Sequence, residues 1–204
     1  PQVLFDRLEN YSIGIIDHRF HSLYDHTRYA GRFNVGFVYF KNDEIGNSCL
    51  KKWKLQCLEC CEDQSQAGKF ADQMYLDSWP ENYENLLILD HPGANLAPWN
   101  INSHHLNWNE GKLYSDKHKV IFYHFHMLRK YDDFHLSTSL EIYNVPVKVR
   151  REKIKQIYIS YLNKLKEIES SLYEIGFKFN AFESLRDYSI VDKVQDSNKD
   201  IMER

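Results

Sequence analysis

The sequence has little of what membrane-spanning and nucleic-acid-binding proteins require. No stretch approaches the roughly 20 consecutive apolar residues of a membrane helix. The 204 residues carry a formal net charge of -3, and the only dense lysine and arginine run, residues 148–155, is typical of the polar start of a helix. Because nucleic-acid binding depends on basic residues that neutralise phosphates, we expect no nucleic-acid partner.

The sequence also shows no secretion signal, and its cysteines are not distributed along the chain as disulfides across a fold would require. The first residues contain no basic segment followed by an apolar one. All four cysteines lie between residues 49 and 61, in one predicted helix, and no second Cys or His pair has the spacing of a structural zinc site. We therefore expect a reduced, cytoplasmic chain whose cysteines serve the core. The sequence starts at Pro1 instead of Met, which we interpret as a cut in a longer protein.

Aromatic residues are abundant, with 14 Tyr, 12 Phe and 4 Trp, and hydrophobic residues make up 43% of the chain. This is enough to build a core at this length. Most of the aromatic rings are expected in that core. Exposed aromatic rings would be suited to stacking against the C–H faces of sugars.

The hydrophobic pattern predicts strands that alternate with helices in the first half of the chain. Predicted strands cover residues 12–16, 33–40 and 86–89, and residues 112–114 are predicted to pair with 120–126. Predicted helices cover residues 4–8, 44–61, 70–78 and 150–173, with a loop at 23–32 and a helix end at Trp79-Pro80. We predict an α/β fold with two parts: residues 1–149 as the main domain, and 150–204 as a C-terminal helical extension with a charged tail.

Four blocks, in this order, resemble the second half of GT-A glycosyltransferases, the glycogenin-like retaining enzymes in particular. They are Phe-Asn-Val-Gly at 33–36, Asp-Gln at 72–73, His-Pro-Gly-Ala-Asn-Leu-Ala-Pro-Trp-Asn at 91–100 and Tyr-His-Phe-His at 123–126. A bacterial group of glycosyltransferase-like proteins shares the third block and the segment 69–80. The resemblance spans residues 5–165 and implies a partial GT-A-like mixed sheet flanked by helices.

One motif of such enzymes is missing. An Asp-x-Asp pair normally binds the metal and the diphosphate of the sugar nucleotide, and it ends a strand shortly before the position of residues 5–8. No Asp-x-Asp occurs in this chain. The resemblance therefore implies that the main acidic ligands of Mn²⁺ or Mg²⁺ lie upstream of Pro1, and we expect this chain to be inactive alone.

The resemblance assigns Asp72 and Gln73 to the donor sugar and to catalysis, with Asp72 near the reacting centre. A carboxylate accepts hydrogen bonds from adjacent hydroxyls, and an amide both donates and accepts them. Asn34 offers further hydrogen bonds, and Gly36 lets the sugar approach the strand. Arg19 is a fifth donor-site candidate, suited to a diphosphate.

Histidines are the candidate metal ligands. His124 and His126 are two residues apart on a predicted strand, so both would point to the same face. His124 is the first choice, and His91, at a strand end, is its rival. The loop after residue 90 supplies candidates for acceptor or phosphate contacts: His91, Gly93, Asn95, Trp99 and Asn100.

The function that the resemblance implies is sugar transfer from a nucleotide-sugar donor to a glycan or lipid-linked acceptor, in bacterial cell-surface polysaccharide synthesis. A cytoplasmic place at the inner face of the membrane, peripheral membrane association and a homodimer are further expectations. Two alternatives stay open. One is a metal-dependent hydrolase that uses His91, His124 and His126 with Asp72, and the other is a non-catalytic glycan-binding module.

Overall fold

A computed structural model describes residues 2–62, 71–130, 135–177 and 192–193. The chain divides into two compact units. The first comprises residues up to 105 together with 114–124, and the second comprises 106–113 together with the described residues from 125 onwards. The predicted division at residue 149 stays a prediction.

The first unit is built on a three-stranded mixed sheet. Its strands are β1 (Ile13–Asp17), β2 (Phe33–Phe40) and β3 (Leu86–Leu89). Strand β1 lies in the centre, antiparallel to β2 and parallel to β3, with a register shift at Ile15/Ile16. The apolar runs predicted as strands at 12–16, 33–40 and 86–89 are thereby confirmed.

Helices cover both faces of this sheet. Helix α1 (Gln2–Leu8) contributes Leu4 to a cluster with Ile16 and Leu89, and helix α3 (Glu44–Glu59) contributes Cys49 to the cluster on the other face. The α3 N-terminus is capped by the Asp43 carboxylate, which accepts from the Gly46 amide at 2.8 Å. Of the four cysteines, Cys49 is buried, as predicted for a core residue. Cys61 is exposed, so the predicted core role is wrong for this residue.

The segments between these elements differ in part from the predictions. The predicted loop at 23–32 contains a 3₁₀ turn (Ser22–Tyr24) and the short helix α2 (Thr27–Ala30). Trp79-Pro80 does not end a helix: a 3₁₀ turn (Met74–Ser78) leads directly into helix α4 (Trp79–Asn82). Proline is tolerated there because the first helical turn needs no amide donor at that position. Residues 69–70 of the quoted segment lie outside the described residues.

A short hairpin completes the first unit. The end of strand β5 (Lys112–Ser115) pairs antiparallel with β6 (His118–Lys119). The predicted partner strand at 120–126 is wrong, because this segment makes only single backbone contacts. The Ile121 amide donates to the Gly93 carbonyl and the His124 amide to the Leu96 carbonyl, both at 2.7 Å.

The second unit is mainly helical. It contains strand β4 (Leu106–Asn109), an antiparallel group of β7 (Arg129–Lys130), β8 (His135–Ser137) and β9 (Asp192–Lys193), and helices α5 (Val147–Val149) and α6 (Lys155–Glu174). A π-helical turn (Arg150–Ile154) joins the two helices. The predicted helix over 150–173 is thus confirmed apart from this turn. Within the described residues, no helix has the length and apolar character needed to cross a membrane.

Candidate functional site

The side chains of Asn34 and His124 converge on Gly36 in the first unit. Asn34 is 4% exposed, and its Oδ1 accepts a hydrogen bond from the Gly36 amide at 2.8 Å. A Cβ on Gly36 would overlap Asn34 Oδ1 and lie 2.5 Å from His124 Nδ1. Gly36 itself is exposed, and His124 is half-buried. We call Asn34, Gly36 and His124 the Gly36 site.

His18 holds Asn34 in place. Its Nδ1 lies 3.1 Å from the Arg32 carbonyl oxygen, and its Nε2 lies 3.2 Å from Asn34 Nδ2. Because a carbonyl oxygen only accepts, the proton belongs on Nδ1, and Nε2 accepts from the Asn34 amide. His18 is 3% exposed and stacks on Phe20 with ring centroids 4.5 Å apart. The orientation of the Asn34 amide is therefore fixed from behind.

The loop at 94–100 forms the wall of the Gly36 site. Trp99 packs edge-on against His124, with ring centroids 4.9 Å apart, and its Nε1 donates to the His18 carbonyl at 2.8 Å. Asn100 Nδ2 donates to the carbonyls of His18 and Asn95. Asn95 Nδ2 donates to the Asp17 carbonyl at 3.2 Å. These three side chains, which were predicted to contact acceptor or phosphate, are buried and join the loop to the end of β1.

Arg19 reinforces the same connection. It has a positive φ of 52° and donates through its guanidinium to the carbonyls of His91 and Ala94. Burial lowers the pKa of this guanidinium, while the carboxylates of Asp17 and Asp90 act in the opposite direction. Arg19 therefore stabilises the loop after β3 through these hydrogen bonds. Its predicted contact with a diphosphate stays a prediction.

Gln73 lies against the segment that leads into β2, and Asp72 lies beside Trp53 of α3. Gln73 Nε2 donates to the Ala30 carbonyl at 2.9 Å, and the Asp72 carbonyl accepts from Trp53 Nε1 at 2.8 Å. Both side chains are half-buried. Asp77, for which no sequence pattern indicated a role, accepts from the amides of Arg32 and Phe33 at 2.9 and 3.3 Å. Its carboxylate thus fixes the start of the strand that carries Asn34.

His91 and Gly93 lie at the other end of the loop. His91 Nδ1 accepts from the Gly93 amide at 3.0 Å, and the His91 ring faces His118 at 5.3 Å. A Cβ on Gly93 would collide with the Lys119 carbonyl, so glycine is required for the close approach of these two backbones. His91 and Lys119 also line a cavity of about 290 Å³.

His124 and His126 do not share the face of a strand, contrary to the prediction, because residues 120–126 do not form one. His124 belongs to the first unit beside Trp99. His126 belongs to the second unit, where its ring faces Tyr143 at 5.9 Å. Among the described residues, no group of three or more His, Cys, Asp or Glu side chains could hold a metal ion. Metal binding by either histidine stays a prediction.

Three histidines of the first unit are shifted towards the neutral form. Burial lowers the pKa of His91, His104 and His124, with nearby positive charges adding to the effect at His91 and His104. A neutral imidazole keeps a lone pair for a metal or a hydrogen-bond donor. The pKa shift of His124 therefore fits the role of ligand that the sequence assigns to it.

These shifts predict that the protein loses stability in weak acid. In the unfolded chain the three histidines take up protons near pH 6.5, whereas in the folded chain they do so only at lower pH. As far as these histidines are concerned, the free energy of unfolding should change little near about pH 7.5 and should fall as the pH drops through about 6.5. Urea denaturation at a series of pH values measures this, and the His104→Gln variant should show a shallower fall. A free energy that rises on acidification would contradict the prediction.

His18 is the residue of this site whose contacts the sequence did not indicate. It follows the first predicted strand and orients Asn34. Its contact with the Arg32 carbonyl depends on how the loop at 27–32 folds back, and no local pattern encodes that. The sequence signal that could have indicated His18 is its position at a strand end, within the polar triplet Asp17-His18-Arg19.

Two longer proteins of Bacillus subtilis (strain 168) are similar to this chain. "Uncharacterized protein YfnF" is 33% identical over 161 residues, which make up 78% of this chain and 51% of the relative. "Uncharacterized protein YfnD" is 34% identical over 192 residues, 88% of this chain and 58% of the relative. No protein-family profile and no solved structure matches. The chain thus spans about half the length of the curated relatives it matches.

Proposed function

We propose that this chain is the donor-sugar and acceptor part of a metal-dependent glycosyltransferase. The observation that carries the proposal is the convergence of Asn34 and His124 on the exposed backbone of Gly36. These residues come from two of the four blocks that resemble GT-A enzymes. The loop of the third block carries Trp99, whose ring packs against His124.

In this proposal the sugar lies against Gly36. Asn34 meets its hydroxyls with an amide that His18 has already oriented. Preorganised polar groups are effective because they need no rearrangement during the reaction. Asp72 and Gln73, on the segment next to the start of β2, are the proposed contacts to the remaining hydroxyls, and Asp72 stabilises positive charge that develops at the anomeric carbon.

The reaction breaks the bond between the anomeric carbon and the diphosphate oxygen. A new bond forms to an acceptor hydroxyl, whose proton passes to the leaving diphosphate. A divalent cation, when bound, neutralises the leaving diphosphate. His124 is the proposed ligand from this chain, because burial keeps its imidazole neutral, and the acidic ligands are proposed to lie upstream of Pro1. A glycan or lipid-linked acceptor, cell-surface polysaccharide synthesis and a place at the inner face of the membrane are parts of the same proposal.

Calorimetry with nucleoside diphosphates and Mn²⁺ tests this function. We expect binding by a version extended upstream and none by the 204-residue chain. His124→Ala in the extended version should weaken Mn²⁺-dependent binding roughly tenfold, as expected when a metal site loses one directing contact. His105→Ala, an exposed histidine of the same unit, is the control.

Parallel titrations with zinc and with glycans separate the competing functions. Tight zinc binding by this chain, with no nucleotide binding by either version, would contradict the transferase and favour a metal-dependent hydrolase. Binding of glycans with neither zinc nor nucleotide would favour a glycan-binding module.

A further inference from the structure

The second unit contains an open cleft of about 710 Å³ whose lining shares no residue with the Gly36 site. It is lined by Trp108 of β4 and by one side of the helical segment from the π turn into α6. The helical residues are Arg151, Glu152, Lys155, Gln156, Ile159 and Asn163. A volume of this order is typical of a small-ligand site.

Trp108 is held as a fixed wall of this cleft. Its Nε1 donates to the Lys153 carbonyl at 2.9 Å, so the indole plane cannot rotate freely. The residue is half-buried and lines the cleft. A fixed and partly accessible indole is suited to stacking on the C–H face of a sugar ring.

The carbonyl that holds Trp108 belongs to the π-helical turn (Arg150–Ile154). Such turns are rare and occur frequently at functional sites. The turn is anchored from the other side by Arg150, which is 5% exposed and forms an ion pair with Glu141. The wall of the cleft is therefore preformed instead of being assembled around a ligand.

The helical wall offers hydrogen bonds along its length. Lys155, Gln156 and Asn163 are spaced over roughly 12 Å at 1.5 Å per residue, longer than a single sugar ring. Amides both donate and accept, as pairs of sugar hydroxyls require. Two cationic residues, Arg151 and Lys155, outnumber the one anionic residue, Glu152, so the lining favours a ligand with negative charge.

We propose that this cleft binds an acidic oligosaccharide, with one ring stacked on Trp108 and its carboxylate or phosphate group beside Lys155. This inference rests on the proposed function, since a glycosyltransferase must hold a growing acceptor. It names the acceptor class as an acidic glycan.

Calorimetric titration of the 204-residue chain with two hexasaccharides tests the proposal: oligogalacturonate, which is acidic, and maltohexaose, which is neutral. We expect oligogalacturonate to bind more tightly. Lys155→Glu should weaken this binding about tenfold, because a favourable charged hydrogen bond is lost. Lys166→Glu is the matched control, since it makes the same charge change on an exposed part of α6 outside the cleft.

A second variant, Gln156→Ala with Asn163→Ala, removes only exposed side chains and should weaken binding without loss of the folded state. Three outcomes would overturn the proposal: no binding of oligogalacturonate, equal binding of the two hexasaccharides, or equal losses from Lys155→Glu and Lys166→Glu. None of these outcomes depends on nucleotide or Mn²⁺, so the cleft and the transferase function can fail separately.

Discussion

Replacing Gly36 with alanine should reduce the sugar transfer that we propose for the upstream-extended protein roughly 100-fold, because misplacement of reacting groups by about 1 Å costs that much. The new Cβ would occupy the space of Asn34 Oδ1 and His124 Nδ1. The half-buried His124 ring can turn aside, the Asn34 amide would have to leave the orientation that His18 gives it, and the backbone at Gly36 has no positive φ. The fold should therefore survive while the Gly36 site is distorted.

Gly111→Ala is the informative contrast. Gly111 has a φ of 68°, and no atom lies within 4 Å of the position that a Cβ would take, so alanine there is strained but not crowded. It should lower the free energy of unfolding by about 1 kcal/mol and leave transfer unchanged. Activity assays and urea denaturation of both variants would separate the two effects. Full transfer by Gly36→Ala would show that Asn34 and His124 do not form a site.

Arg150→Leu should be the most destabilising single change in the second unit. The Arg150 side chain is 6% exposed and the Glu141 side chain 30% exposed, so removal of the arginine leaves a largely buried carboxylate without its cation. Breaking a buried pair in this way costs about 3 kcal/mol, at the lower end of the usual range because Glu141 keeps some solvent contact. The measurement is the free energy of unfolding in urea.

The double variant Arg150→Leu, Glu141→Leu is the control. Two apolar side chains of similar size remove both charges, so the double variant should recover most of the lost stability. If both variants were equally destabilised, packing of the arginine stem would explain the loss. If Arg150→Leu cost less than about 1 kcal/mol, the ion pair would not anchor the π turn.

The strands of the first unit were predictable because their residues carry strong local signals. Residues 33–40 are almost entirely β-branched or aromatic, and residues 86–89 form an apolar run bounded by polar residues. The segment 120–126 has a similar composition but forms no strand. Its apolar side chains still pack against the first unit: Ile121 and Phe122 both contact the cluster of Leu4, Ile16, Leu89 and Ala94. An alternating apolar pattern indicates which side chains are buried. It does not determine whether the backbone pairs with another strand.

The Gly36 site was predictable only in part. Sequence blocks selected Asn34, Gly36 and His124, and the structure brings these three together. The same blocks contained no sign that Trp99 and Asn100 would be buried with their polar groups bonded to the His18 carbonyl. The blocks also gave no indication of Asp77, whose carboxylate accepts a hydrogen bond from the Phe33 amide, 44 residues away in the sequence. Such contacts depend on how loops meet, which periodicity does not encode.

The interleaving of the two units limits how this chain can exchange parts with its relatives. The backbone passes from one unit to the other near residues 105, 113 and 124. A single recombination point at any of these junctions would leave at least one unit with segments from two parents. Intact units can be inherited only through coordinated breakpoints at all three, so point substitution is the easier route by which either unit can change without disturbing the other.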